Sequence, residues 1–184
     1  MADINFSSPS PGSDSRPAET PSPGSRGGDL RWDFIELLFF AYRDFVGDAD
    51  HELEAFGFGR AHHRVMHFVH RYPGLKVADL LDVLRITKQS LGRVLKQLLD
   101  EGYIVQKAGN SDRRQRLLFA TAKGEALVGK LAGLQTDRIN RALRDIGPSG
   151  ADTVQRFLRA MIDHDDPDKV LETILATGNA SAKE

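Results

Sequence analysis

Two short amphipathic segments stand on either side of a three-residue connection in residues 77–102, VADLLDVLRITKQSLGRVLKQLLDEG. Apolar residues recur at helical spacing in both segments, which predicts helices over residues 77–84 and 88–102. The connection between them is Arg85-Ile86-Thr87. Two short helices joined in this way are the pattern of a helix-turn-helix motif.

The second of these helices is polar on one side. At 100° per residue its apolar positions fall together, at Leu91, Val94, Leu95 and Leu98. The opposite side carries Gln89, Arg93, Lys96 and Gln97. Arg and Gln side chains match base edges in the major groove, whereas Lys96 and the hydroxyls of Thr87 and Ser90 suit phosphates. This side predicts a DNA-reading face, and the alternative is an ordinary solvated helix face.

A β-hairpin is predicted directly after the second helix. Residues 103–107 and 117–120 are β-prone, and the turn-rich segment 108–116 separates them. Around the acidic Asp112, this hairpin carries the cations Lys107, Arg113, Arg114 and Arg116. Helix, turn, helix and hairpin follow one another as in a winged helix. Clustered cations on the tip favour contact with phosphates, and a plain basic loop is the alternative.

Charge is distributed unevenly along the chain. Residues 60–116 contain 12 Lys and Arg against 5 Asp and Glu, whereas the other residues contain 13 against 21. The formal net charge of the whole chain is only −1. A basic centre within an acidic chain indicates a nucleic-acid contact on one part of the molecule.

Several protein classes are excluded by composition and missing motifs. The chain has no cysteine, which excludes disulfides, thiolate catalysis and Cys-ligated metals. The apolar run 34–42 contains Glu36 and is far shorter than the roughly 20 residues of a membrane span. The sequence shows neither a secretory signal nor a nucleotide-binding loop or nucleophile motif. We therefore expect a cytoplasmic protein with no membrane partner that is not an enzyme and requires no cofactor.

The remaining segments predict helices and tails. Residues 1–28, rich in Ser, Pro and Gly, predict a disordered tail. Asp29 can cap a helix over residues 30–46. The apolar residues of this helix are too many for one buried stripe, so it needs packing partners on more than one side. Residues 51–55 predict a short helix. A helix over residues 60–72 has the predicted core stripe Ala61, Val65, Phe68, Val69 and Tyr72. Thr121 caps a fifth helix ending near Gly147, a sixth spans 149–163, and a short C-terminal helix and tail occupy 166–184.

The order and spacing of these motifs resemble the MarR family of bacterial transcriptional regulators, and within it the PetP-like subgroup. The resemblance rests on residues 86–104, on Asp112-Arg113-Arg114 and on Thr121-Ala122-Lys123-Gly124. It covers about residues 30–164. The fold class it implies is mainly α (α+β): a winged helix-turn-helix lobe, residues 60–120, with an all-helical dimerisation domain built from residues 29–47 and 121–164. Together these form one MarR-like domain over residues 29–165.

The resemblance also implies a homodimer on a pseudo-palindromic operator in double-stranded DNA. The expected DNA contacts are Lys76, Thr87, Lys88, Gln89, Ser90, Arg93, Lys96, Arg113, Arg114 and Arg116. Among these, Gln89, Ser90 and Arg93 would face the major groove and an arginine of the wing the minor groove, with Asp112 orienting the wing. Lys76 stands where such proteins often have a Thr or Ser cap, so a helix cap is lost.

A small-molecule effector site is a further expectation from the resemblance. An anionic or aromatic effector of unknown identity would bind between the dimerisation helices and the DNA-binding lobe, against Trp32, Phe39, Tyr42, His63 and Met66. His63, His67 and His70 lie on one side of the helix predicted over residues 60–72. This arrangement is compatible with a metal site completed by Glu52 or Glu54, with a pH-sensitive cluster, or with half-buried structural residues.

The function that follows is a sequence-specific DNA-binding transcriptional regulator, expected to be a repressor released by a small ligand. Two alternatives remain open from sequence. One is a winged-helix scaffold that binds proteins and has no DNA target. The other is a metal-responsive or pH-responsive regulator that uses the three histidines.

Overall fold

The computed structural model describes residues 30–109 and 115–162, which form six helices and a small three-stranded sheet. In chain order the elements are α1 (Trp32–Glu54), α2 (Arg60–Arg71), β1 (Leu75–Lys76), α3 (Val77–Leu84), α4 (Lys88–Asp100), β2 (Ile104–Ala108), β3 (Arg116–Ala120), α5 (Ala122–Ile146) and α6 (Gly150–Ala160). The predicted tail 1–28, the cap Asp29 and the predicted helix and tail at 166–184 lie outside the described residues.

Helix α1 is longer than predicted. It does not stop at residue 46 but continues to Glu54 and absorbs the separate short helix expected at residues 51–55. Gly47 within a helix costs only about 1 kcal/mol relative to Ala. Val46, Ala49 and Leu53 continue one buried stripe past this glycine, and their burial outweighs its cost.

The buried side of α2 differs from the predicted core stripe and is wider. Val65 and Val69 are buried as expected, but Ala61 is exposed and both His63 and Met66 are buried. The reason is that α2 is covered from several directions, by α3, α4, α5 and β3, rather than along a single face. The predicted apolar stripe was therefore too narrow.

The sheet contains a strand that the sequence analysis missed. Its order is β1-β3-β2, with β3 antiparallel to both neighbours. The predicted hairpin is confirmed, with Ile104 opposite Ala120 at one end and Ala108 opposite Arg116 at the other. The extra strand, β1, is two residues long and pairs Leu75 with Leu118. So short a strand leaves no periodic signal in the sequence.

One hydrophobic core joins the helix-turn-helix to the sheet and to the start of α5. The predicted apolar side of α4 is confirmed as buried, and it packs with Leu80, Ile104, Leu118 and Leu131. The predicted mainly α fold with a winged helix-turn-helix lobe is therefore confirmed. Among the described residues, none of the helices is long and apolar enough to cross a membrane.

The chain divides into two units at the boundary between Phe39 and Phe40, within α1. In the first unit, Arg31 forms an ion pair with Asp33 at 3.0 Å and places its guanidinium over the Phe34 ring. Trp32 and Phe39 belong to this unit and are 51% and 69% exposed. The second unit contains the core, the sheet and every helix from α2 onward.

Candidate nucleic-acid interface

The turn between α3 and α4 has a sharply defined backbone. Arg85 ends α3 in the left-handed conformation, with φ 48°, and its N–H donates to the Leu81 carbonyl at 2.9 Å.

At the start of α3, the loss of a cap that was expected from Lys76 is only partial. The carboxylate of Asp79 accepts from the Lys76 N–H at 3.3 Å, so one free N–H of the helix start has a partner.

Thr87 is the N-cap of α4, the second helix of the helix-turn-helix. Its hydroxyl oxygen accepts from the Ser90 N–H at 3.1 Å and donates its proton to the Ser90 hydroxyl at 2.9 Å. The hydroxyl of Thr87 is thereby occupied by the helix, whereas the Ser90 hydroxyl keeps its own proton to donate. This geometry favours Ser90 over Thr87 as the phosphate donor of the pair.

The outer face of α4 is the predicted DNA-reading face. Lys88, Gln89, Ser90, Arg93 and Lys96 are all exposed, opposite the buried apolar side. Lys96 forms an ion pair with Asp100 one turn later, which partly neutralises its charge. The first half of α4 therefore exposes the amide of Gln89, the hydroxyl of Ser90 and the guanidinium of Arg93.

Gln97, which the helical projection grouped with the reading face, is turned towards α2. The Nδ1 atom of His62 accepts from the Gly59 N–H at 3.1 Å, so the proton of this ring lies on Nε2. His62 Nε2 is 2.9 Å from Gln97 Oε1, and Gln97 Nε2 donates to Glu101 at 2.9 Å. Gln97 therefore holds α4 on α2 instead of facing a ligand, a role with no signal in the sequence.

The wing is described as far as its two strands. Arg116 is exposed at the start of β3, and exposed Lys107 on β2 lies with its ammonium 4.8 Å from the Phe119 ring centroid. The Gly109 N–H donates to the Gln115 carbonyl at 3.1 Å, which closes the described part of the hairpin. Asp112, Arg113 and Arg114 lie outside the described residues, so their predicted roles stay predictions. Lys76 is half-buried beside β3.

A cavity of about 270 Å³ lies in the second unit, against α1, α2 and α5. Its walls are Tyr42, Phe45, Val46, His63, Arg64, His67, Phe68 and Gln135. Tyr42 and His63 were expected here. Met66 was expected on the wall but is 1% exposed and packs into the core, because α2 is covered on that side too. Arg64 and Gln135 were missed, since their placement depends on contacts between distant segments.

Two histidines of α2, His63 and His67, line this cavity. Burial lowers the pKa of His63 below its ordinary value, and the nearby His67 lowers it further. Burial also lowers the pKa of His67, with smaller effects from Arg71 and His70. Within residues 30–109 and 115–162, no group of three His, Asp or Glu side chains is placed to hold a metal ion. Of the suggested completing ligands, Glu52 forms an ion pair with Lys130, and the Glu54 carboxylate lies 3.7 Å from His51 Nδ1.

Comparisons with known proteins match this geometry. Residues 56–115 match the model of the MarR family. Over 129 residues the chain is 45% identical to the HTH-type transcriptional regulator PetP of Rhodobacter capsulatus, covering 70% of this chain and 78% of that protein. The chain belongs to the MarR family. Its predicted identity as a DNA-binding transcriptional regulator, and not an enzyme, is confirmed by this membership.

Solved MarR-family structures share the fold. The FabT protein of Streptococcus pneumoniae, crystallised in complex with DNA, has a TM-score of 0.63 at 14% identity, covering 70% of this chain and 92% of FabT. The S. aureus MepR–DNA complex has a TM-score of 0.57 at 18% identity, covering 70% of this chain and 94% of MepR. At these identities the likeness concerns the fold alone.

Proposed function

We propose that this MarR-family protein is a homodimeric repressor that occupies a pseudo-palindromic operator and is released by a small molecule. The observation that carries the proposal is the exposed first half of α4, with Gln89, Ser90 and Arg93 opposite a fully buried apolar side. An arginine and an amide can each form two hydrogen bonds to a base edge in the major groove. We place the protein in the cytoplasm, where a DNA-binding regulator acts.

A second copy of the chain is supported by exposed apolar side chains on the predicted dimerisation helices. On α1 they include Trp32, Leu37, Phe39, Phe40 and Tyr42. On α5, α6 and the residues after α6 they include Ile139, Ile146, Leu158, Met161 and Ile162. Monomeric proteins seldom expose so much apolar surface. A symmetric dimer would cover it and would place two recognition helices on one inverted repeat.

The effector site proposed for release is the cavity beside α2. It combines the apolar walls Phe45, Val46 and Phe68 with polar groups of His63, Arg64 and Gln135. Such a mixture suits a small ligand that is held by burial and oriented by a few polar contacts. For release, the ligand must prefer a conformation that does not fit the operator, because equal affinity for both conformations shifts no equilibrium.

The test is selection of operator DNA. Fragments of the source genome are bound by the purified full chain at about 150 mM salt, a concentration at which non-specific contacts are partly screened, and retained fragments are sequenced. Arg93→Ala and Arg71→Ala are run in parallel, since both remove an exposed arginine but only Arg93 lies on α4. We expect an inverted repeat from the parent and Arg71→Ala, and loss of about 1 to 3 kcal/mol of base discrimination in Arg93→Ala.

The same preparation tests the scaffold alternative. A dimer that contacts about 6 to 10 phosphates should lose roughly three to five decades of affinity between 50 and 200 mM salt. A protein-binding scaffold would show no such slope for its main partner. If Arg93→Ala enriches the same repeat as the parent, the assignment of the reading face is wrong. If no sequence is enriched by any of the three proteins, the proposal of a sequence-specific repressor fails.

A further inference from the structure

His62 connects helix α2 to helix α4 in one defined tautomer. Its Nδ1 atom accepts a hydrogen bond from the Gly59 N–H at 3.1 Å, so the ring carries its proton on Nε2. The ring donates that proton to Gln97 Oε1 at 2.9 Å. It also stacks on the buried ring of Phe58, with the centroids 4.7 Å apart and the planes 14° from parallel. Both ring nitrogens are therefore held by protein groups, and one of these groups belongs to α4.

Gln97 is held at its other end as well. Its Nε2 atom donates to the Glu101 carboxylate at 2.9 Å, one turn later on α4. This bond requires that the amide oxygen of Gln97, and not its nitrogen, face His62. A histidine with its proton on Nε2 supplies the donor that this oxygen needs. One chain of hydrogen bonds thus runs from the Gly59 N–H to the Glu101 carboxylate, and every donor in it meets an acceptor.

The apolar side of α4 holds the helix on the core without fixing its rotation. Four side chains of this side are buried, and the burial of apolar surface has no directional preference. A hydrogen bond, in contrast, is restricted to a narrow range of distances and angles. The bond between His62 and Gln97 therefore restricts the rotation of α4 about its own axis relative to α2.

Rotation of α4 matters for reading DNA because Arg93 lies in the same row as Gln97. Arg93, Gln97 and Glu101 follow one another at intervals of four residues, which makes them neighbours along the helix. A helix with its side chains is about 10 to 12 Å wide, so a rotation of about 10° moves a side-chain tip by about 1 Å. A hydrogen bond to a base edge that is stretched by this amount is lost.

We propose that His62 is a positioning residue for sequence-specific DNA recognition, and that through Gln97 it holds α4 in the rotation at which Arg93 reaches the base edges of the operator. The inference rests on the proposed function and adds to it a residue on a different helix from the reading face. Without the bond, only a fraction of the molecules keep the reading position, and operator affinity falls by that fraction. Attraction to phosphates depends on charge rather than on base register, so binding to DNA of unrelated sequence is kept.

The first measurement compares the operator selected by the parent with a scrambled duplex of the same length. The full chain is bound to each duplex at about 150 mM salt and followed by fluorescence anisotropy. One hydrogen bond shifts an equilibrium by about 2-fold to 13-fold. His62→Ala should weaken operator binding by this factor for each half-site and leave the affinity for the scrambled duplex and the salt slope unchanged. A general loss of folded protein would lower both affinities alike.

A conservative variant separates the hydrogen bonds from the ring. Glutamine at the third position of a helix can accept from the N–H of the N-cap, and its amide also carries a donor for Gln97. His62→Gln should therefore restore the ratio of operator to scrambled affinity to within about twofold of the parent. His51→Ala is the matched control, because it removes a histidine that is 86% exposed near the end of α1. It should bind both duplexes like the parent.

A double-mutant cycle separates positioning from direct base contact by Gln97. Gln97→Ala breaks the same bond from the side of α4 and leaves Gly59 and Phe58 in contact with His62. If the two residues act as a unit, the double variant loses no more operator affinity than the weaker single variant. Independent roles would make the two losses multiply. If His62→Ala is unstable by thermal unfolding, Gln97→Ala and His62→Gln carry the comparison.

The second measurement needs no DNA. Residual dipolar couplings of the backbone N–H groups report the orientation of α4 relative to α5. We expect these couplings to change for α4 in His62→Ala and Gln97→Ala, and to keep the parent values in His62→Gln and His51→Ala. If no operator is enriched but these changes are seen, the repressor proposal fails and the orientation of α4 by His62 stands. The positioning proposal is overturned if His62→Ala keeps the parent's affinity ratio, if the losses multiply in the cycle, or if the couplings of α4 do not change.

Discussion

Replacing Gly124 by alanine should destabilise the protein, although alanine is the better helix former. Gly124 lies in the first turn of α5, where the helix passes directly over the backbone of Tyr103. A Cβ atom at this position would lie 2.1 Å from the Tyr103 carbonyl oxygen and 3.1 Å from its carbonyl carbon. Both are backbone atoms, so no side-chain rotation relieves the overlap. The start of α5 and the start of the wing would have to separate by about 1 Å to restore ordinary contact distances.

That separation affects the hydrogen bonds that join α5 to the wing. The Thr121 hydroxyl donates to the Gly102 carbonyl at 2.7 Å, and the Thr121 N–H donates to the Tyr103 carbonyl at 3.1 Å. Overpacking costs about 1 to 3 kcal/mol, and each weakened hydrogen bond about 1 kcal/mol. Alanine returns up to about 1 kcal/mol through helix propensity. The expected net loss in the free energy of unfolding is about 2 to 4 kcal/mol.

Gly129→Ala is the matched control, because it is the same substitution in the interior of the same helix. A Cβ atom at Gly129 meets nothing within 4 Å. We expect this variant to gain about 0.5 to 1 kcal/mol. Both variants and the parent are unfolded in urea at one protein concentration and followed by circular dichroism. Stabilisation by Gly124→Ala, or shifts of the same sign in both variants, would refute the argument from close approach.

Three further predictions follow from the site. Thr87→Ala removes the cap of α4 and should cost about 1 kcal/mol of unfolding free energy, with weaker operator binding; unchanged urea midpoints would show that the cap contributes nothing. Arg114→Ala should lower the salt slope of operator binding by about 1, and an unchanged slope would remove this residue from the phosphate contacts. Because burial lowers the pKa of His63 and of His67, stability is complete above the ordinary histidine pKa of about 6.5 and is lost as pH falls below it. His63→Gln should therefore lose less thermal stability than the parent on acidification, and equal losses would contradict this.

The parts of the fold that depend on local signals were predictable. The spacing of Leu91, Val94 and Leu98 and the cap at Thr121 act within one or two helical turns. A pattern of this kind is present in the sequence in full, and the structure confirms each of these elements. Helix α4 and its exposed face could therefore be predicted before any tertiary contact was known.

The parts that were missed depend on contacts between distant segments. Helix α1 continues past Gly47 because Ala49 and Leu53 are covered by other elements of the core. The placement of Met66 in the core and the pairing of Leu75 with Leu118 have the same origin. The contact between Arg64 and Leu84 joins residues 20 positions apart. Periodicity and capping carry no information about such partners, so the cavity wall was predicted less accurately than the recognition helix.

Contacts that the sequence does not show also change how the charge of residues 60–116 is understood. Counting residues gave residues 60–116 a large positive excess, as if every cation faced DNA. In the structure Arg60 is paired with Asp50 at 2.6 Å, Arg64 is bound to the Leu84 carbonyl and Lys96 is paired with Asp100. Each of these cations already has a partner that a phosphate would have to displace, so it releases fewer counterions on DNA than its formal charge implies. We therefore expect the attraction to DNA to be smaller than composition indicates and to be concentrated at the start of α4 and on the wing.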